Sequence, residues 1–193
     1  MKKVSLIGDS IRLGYQDAAK AELDGLAEVW SPEGNCMHSI HHLFNLKWYI
    51  EQPADLIHFN FGLWDCRRLG RLSSETAIPI DLYVRNLDFL ISQIREETDA
   101  TLVWATITPV LQDRYNARFS KLSDPCRNSG DNIIYNQAAA PILQKHEVLI
   151  NDLYTFVIEQ GVEEMVCKDG IHYTAEASQL LGRKVAEEIK HHL

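Results

Sequence analysis

Apolar positions along this chain alternate between two kinds of run. Lys2–Ile7, Leu26–Trp30, Asp55–Phe61, Thr101–Ile107 and Val148–Ile150 are short and dense in aliphatic and aromatic residues. That density predicts strands buried on both faces. Between them lie longer stretches with helical spacing. Ile80–Glu97 places Leu82, Val84, Leu87, Leu90, Ile91 and Ile94 on one face, and Thr174–Leu193 does the same with Ala177, Leu180, Leu181, Val185 and Ile189. Ile11–Leu23, Met37–Glu51 and Asp131–Lys145 read as further helices. The second of these carries a stripe of Met37, Ile40, Leu43, Phe44, Trp48 and Tyr49, and the third turns Ile133, Ile134, Ala138 and Ile142 inward. Tyr154–Glu159 supplies one or two more helical turns.

Punctuation agrees with this reading. Ser31-Pro32-Glu33-Gly34, Gln52-Pro53 and Thr108-Pro109 mark loops or ends. Val110–Ser129 has no sustained period and is expected to be a long excursion with a short helix beyond the fourth strand. Strands alternating with helices imply parallel pairing and right-handed crossovers. The expected fold is therefore a three-layer α/β/α sandwich, flavodoxin-like, with a five-stranded parallel sheet in the order 2-1-3-4-5. No repeat or linker interrupts residues 1–193, so one domain is expected. In such a sheet ligands bind beyond the carboxyl ends of the strands, beside strand one.

Composition narrows the partners. Nineteen Lys and Arg stand against 27 Asp and Glu, a formal net charge of −8. A nucleic-acid binder needs a basic stripe, and a charge of this sign gives no attraction to an anionic membrane. No run approaches the ~18 apolar residues of a membrane span. The opening run Val4–Ile7 is cut short by Asp9 and Arg12, too early for an export segment, so a cytoplasmic location is expected. Cys36, Cys66, Cys126 and Cys167 form no CxxC pair and are read as reduced thiols.

Chemistry enters at the strand ends. Gly8-Asp9-Ser10 follows strand one, Gly34 follows strand two, Gly62-Leu63-Trp64-Asp65 follows strand three, and Asp169-Gly170-Ile171-His172 precedes the last helix. A serine, a histidine and a carboxylate are the parts of an acyl-transfer site. Asp9 reads as a cap on the turn at Ser10, and Asp65 as a structural carboxylate that fastens the loop after strand three. Cys36, His38, His41 and His42 lack the spacing of a structural zinc site, and no metal is expected there. Arg67, Arg68 and Arg71 read as a solvated loop with the alternative of anion recognition. Trp64, Tyr115 and Phe119 are candidates for a pocket wall or for packing.

The order and spacing of the four blocks resemble the SGNH/GDSL hydrolase superfamily of esterases, thioesterases and lipases, along almost the whole chain. The resemblance implies Ser10 as nucleophile, His172 as general base and Asp169 as the carboxylate that orients the imidazole. It implies an oxyanion hole from the backbone N–H groups of Ser10 and Gly34, completed by an asparagine side chain from a GxND block. This chain has Trp64 at that asparagine's place. Asn60 is the first choice among nearby side chains for the missing donor, and the indole N–H of Trp64 is the other candidate. The implied activity is hydrolysis of a short-chain acyl ester, such as an O-acetylated carbohydrate, through an acyl-enzyme and without a cofactor. The alternatives are an O-acyltransferase, a thioesterase or lysophospholipase on the same site, or a binding protein that kept the fold.

Overall fold

A computed structural model describes all residues, Met1–Leu193. Five strands, β1 (Lys2–Ile7), β2 (Ala27–Trp30), β3 (Leu56–Phe59), β4 (Thr101–Ala105) and β5 (Leu149–Asn151), form one parallel sheet in the order β2-β1-β3-β4-β5. The expected sandwich and strand order are both present. From Val4 to Ile7 and from Leu56 to Phe59 every residue is buried, as a sheet covered on both faces requires.

Nine helices surround it. They are α1 (Ser10–Glu22), α2 (Ser39–Phe44), α3 (Lys47–Ile50), α4 (Ile80–Glu97), α5 (Gln112–Asn116), α6 (Ser129–Lys145), α7 (Leu153–Gln160), α8 (Val162–Met165) and α9 (Ala175–His191). Helices α1 and α9 pack on each other, and α4 packs on α2, α3 and α6. Right-handed crossovers place these two groups on opposite faces of the sheet.

The α1–α9 crossing is close for a reason visible in the residues. Small side chains meet there, and a Cβ on Gly182 would fall 2.5 Å from Ala18 Cβ and 2.7 Å from the Tyr15 carbonyl oxygen. A larger residue at 182 would push the helices apart. Because α1 begins at Ser10 and α9 begins shortly after His172, this packing brings the segments carrying those two residues side by side.

Three expectations are corrected. Met37–Glu51 is not one helix, because α2 stops at Phe44 and α3 starts at Lys47. Phe44, counted on its apolar stripe, is 84% exposed. In α6 the inward face is Tyr135, Ala139 and Leu143 with the polar Asp131 and Asn132, while Ile133 and Ile134 point outward. Apolar residues are spread around that helix, so sequence spacing does not single out the buried face. His42 was expected on a partly exposed helix. It is fully buried, bonded to the Tyr49 hydroxyl and tilted against Phe61 with ring centres 4.7 Å apart.

Candidate active site

The turn after β1 is shaped by what lies around it. Asp9 caps α1, its Oδ1 accepting from Ile11 N at 2.9 Å, so Ser10 is the first residue of the helix rather than its cap. The N–H of Ser10 stands at the amino end of α1, where the helix offers it no acceptor. Gly8 has no room for a Cβ, which would collide with Asn60 Oδ1. Burial raises the Asp9 carboxyl above its ordinary value.

Arg12 holds this turn to its neighbour. It is wholly buried and donates to four carbonyl and amide oxygens: Gln16 Oε1 at 2.6 Å, Pro32 O at 2.9 Å, Gly8 O at 3.2 Å and Gly34 O at 2.5 Å. One guanidinium thus ties the Ser10 turn to the Gly34 loop, reinforced by Cys36 N donating to Gly8 O at 3.1 Å. Sequence reasoning missed Arg12 altogether. An arginine two residues past the serine looks like a surface helix position, and no local signal marks it as buried.

The other half comes from the loop before α9. Asp169 Oδ1 accepts from the N–H groups of Ile171 and His172, both at 3.0 Å. Its Oδ2 lies 2.6 Å from His172 Nδ1, and His172 Nε2 lies 3.0 Å from Ser10 Oγ. A carboxylate accepts only, so Nδ1 carries the proton and Nε2 is left to accept from the Ser10 hydroxyl. Burial pushes the Asp169 carboxyl up. The N–H groups of Ile171 and His172, with the His172 ring, outweigh that and hold it below its usual value. The His172 side chain is half exposed.

This loop rests on the excursion after β4. Gly170 adopts φ 77°, and a Cβ there would collide with the backbone of Tyr115 and Leu111. Leu111 N donates to Gly170 O at 2.9 Å, and Arg114 reaches Val166 O at 2.8 Å. Asn116 clamps the excursion's two arms, bonding both the N–H and the carbonyl of Arg127 at 2.9 Å.

Between the halves lies a cleft of about 160 Å³. Ser10 and His172 open onto it, Leu63, Trp64, Tyr115, Phe119 and Ile171 wall it, and Arg67, Arg118 and Arg127 supply its charge. Trp64, Tyr115 and Phe119 therefore stand at a pocket wall. Of the three arginines weighed from sequence, only Arg67 reaches the cleft. Arg68 forms a two-bond pair with Asp131 at 2.7 and 2.9 Å, and Arg71 donates to Phe119 O at 2.6 Å.

The suggested oxyanion donors separate. Trp64 lines the cleft. Asn60 does not: it lies beneath the turn, against Gly8, in a cavity of only about 10 Å³ shared with Asp9 and Tyr15. Gly34 is not in the cleft wall either, although Arg12 links its loop to the Ser10 turn. Asp65 sits behind the wall, fully buried, accepting from Ser39 N at 3.1 Å with both oxygens. Burial pushes its carboxyl up to about 6.

No protein-family model matches this sequence, and no curated protein matches it significantly. Solved structures do match in three dimensions. A lipase/acylhydrolase from Enterococcus faecalis aligns with TM-score 0.79 and 21% identity, over 99% of this chain and 96% of that one. The acetyl xylan esterase AlAXEase gives 0.74 and 14%, over 97% and 99%. A member of the lipolytic G-D-S-L family from Veillonella parvula gives 0.68 and 15%, over 97% and 98%. From end to end, this chain shares the fold of these solved structures.

Proposed function

We propose that this protein is a serine ester hydrolase of the SGNH/GDSL superfamily. One observation carries the reading: Ser10 Oγ, His172 and Asp169 form a continuous hydrogen-bonded line of 3.0 and 2.6 Å at the mouth of a cleft. In this reading Nε2 of His172 takes the Ser10 proton as Oγ attacks the ester carbonyl. Asp169 holds the ring and offsets its positive charge. The tetrahedral intermediate collapses with proton delivery to the leaving alcohol, and water releases the acyl-enzyme by the same relay.

The Ser10 N–H, at the positive end of α1, is the first oxyanion donor and the Trp64 indole N–H, in the cleft wall, the second, while Gly34, outside that wall, steadies the Ser10 turn through Arg12. Asn60 is assigned to supporting the turn, since its amide lies under Gly8 rather than in the cleft. No step calls for a metal or organic cofactor. The half-exposed imidazole favours water as acyl acceptor over a bound alcohol, hence hydrolysis over transfer. The small cleft favours a short acyl ester over a long-chain lipid.

Fluorophosphonate labelling with peptide mapping tests this directly. The expected adduct is on the peptide containing Ser10, abolished in Ser10→Ala and strongly slowed in His172→Ala. Absence of any adduct between mildly acidic and mildly basic pH would return the chain to the binding-protein alternative.

A further inference from the structure

The cleft carries more positive charge than ester hydrolysis requires. Arg67, Arg118 and Arg127 all border it, and none of its lining residues is Asp or Glu. Elsewhere the chain has acidic residues in excess. Arg68 and Arg114 pair with carboxylates, but the three cleft arginines have no carboxylate within ion-pair distance.

Their environments make that more telling. The Arg67 guanidinium lies 5.3 Å from the centre of the Trp64 ring and makes no hydrogen bond, and its buried Nε has no partner. Arg127 is 5% exposed and stacks 5.5 Å from Tyr115; its Nη1 is satisfied by the Leu63 carbonyl, and its buried Nε is unpartnered. Arg118 covers both Tyr115 and Phe119 at 5.6 Å and spends one bond on Asp169 O at 3.3 Å. Of the three only Arg127 is buried, Arg67 being half-buried and Arg118 exposed, so the cost of desolvating a charge falls on Arg127, which buried Asp9 attracts. Aromatic faces lower that cost and fix the planes of the forks, but they leave the N–H edges free.

Resting on the hydrolase reading, we propose that the ester taken by this site carries a carboxylate. Arg67 and Arg118 bind it, and the field of buried Arg127 adds to the attraction. A planar carboxylate matches the guanidinium fork bidentately. A cleft of about 160 Å³ places that anion within a few bonds of the carbonyl that Ser10 attacks. The arginines then select the substrate, and the serine and histidine transform it.

Two matched pairs of esters test this, one for each side of the ester bond. Mono-p-nitrophenyl glutarate is compared with p-nitrophenyl valerate, and 3-acetoxybenzoate with phenyl acetate, spontaneous hydrolysis being subtracted. At least one charged member should exceed its neutral partner about tenfold in kcat/KM. That ratio should fall to near one in Arg67→Gln and Arg118→Gln, and recover in part in Arg67→Lys, which keeps the charge but loses the fork. A second readout is independent of turnover: calorimetric binding of glutarate to wild type, weakened at least several-fold in both glutamine variants, with glutaramide as the neutral control. Turnover of neutral esters with no preference in either pair and no glutarate binding overturns the carboxylate assignment and leaves the hydrolase reading standing. Glutarate binding lost in the variants, with no ester turned over, supports the anion site while sinking the hydrolase reading.

Discussion

Ser10 stands on a turn whose neighbours Asp9, Ile11 and Arg12 are all buried, whereas His172 stands on a short loop with half of its ring in solvent. The first half of the site is continuous with the core: β1 delivers it, Asn60 backs it, and Arg12 fastens it to the next loop. The second half is held at arm's length by backbone contacts to Leu111 and Tyr115, in a segment without regular periodicity. The carboxylates follow the same division. Asp65, behind the first half, is pushed up to about 6 by burial, and Asp169, in the second, is held low by three N–H donors. The proposed site thus draws on two kinds of support, and damage to each should look different. Loss of support on the serine side should appear as lost stability, and loss on the histidine side as lost turnover in a folded protein.

The sharpest break in the comparison is expected from Asp169→Asn. It removes the acceptor that sets the His172 tautomer and should lower kcat about 10⁴-fold. The melting temperature should move little, because the side chain is partly exposed and bonds only within its own loop. A comparable loss of stability would contradict the division.

Arg12→Met should do the reverse. It leaves the Pro32 and Gly34 carbonyls without the guanidinium donor and the Gly8 carbonyl with only Cys36 N, and a loss of about 3–5 kcal/mol in urea unfolding is expected. A variant as stable as wild type would show that the staple is dispensable.

Acidity separates Asp65 from its surroundings. Its folded value of about 6 lies above the unfolded value near 4, so the native state binds the proton more tightly. Stability must then fall as pH rises between those values, by about 3 kcal/mol from this group alone. His58, buried and held neutral down to about 3, acts in the opposite sense and loses stability as pH falls below about 6.5. Urea midpoints of wild type and Asp65→Asn, taken from pH 6.5 to 4, isolate the first effect. Over that range the wild type should gain about 2 kcal/mol on the variant as pH falls, and a constant gap would refute it.

The smallest effect belongs to Gly170→Ala. The loop must move to admit a Cβ, at a cost of about 1–3 kcal/mol. Turnover should fall by a larger free-energy equivalent than stability does, because the displaced atoms include His172.

Several features were legible without coordinates. The bounds of α4 match the expected Ile80–Glu97, since a long apolar stripe between a proline and a β-rich run leaves little choice. The approach of Ser10 to His172 was legible too, because each sits in a short block whose local geometry the sequence fixes: a glycine before a capped serine, and an Asp-x-x-His loop in which three residues bring carboxylate and ring together. Where residues depend on distant partners, the reading was weaker. Asn60 looked like a donor because it is close in sequence to the missing asparagine, and packing put it under Gly8 instead. Trp64 was a doubtful substitute by chemistry, yet its ring forms cleft wall and carries Arg67.

The sequence by itself determined the alternation of strands and helices, the strand order and the blocks at the strand ends, because these follow from periodicity over a few residues and from chain handedness. The tertiary structure decided which arginines are buried, which face of α6 turns inward, and which charges stand at the cleft without a partner. Those depend on side chains dozens of residues apart competing for the same space. A guanidinium has the same local signature whether it meets water, a carbonyl or the face of an indole.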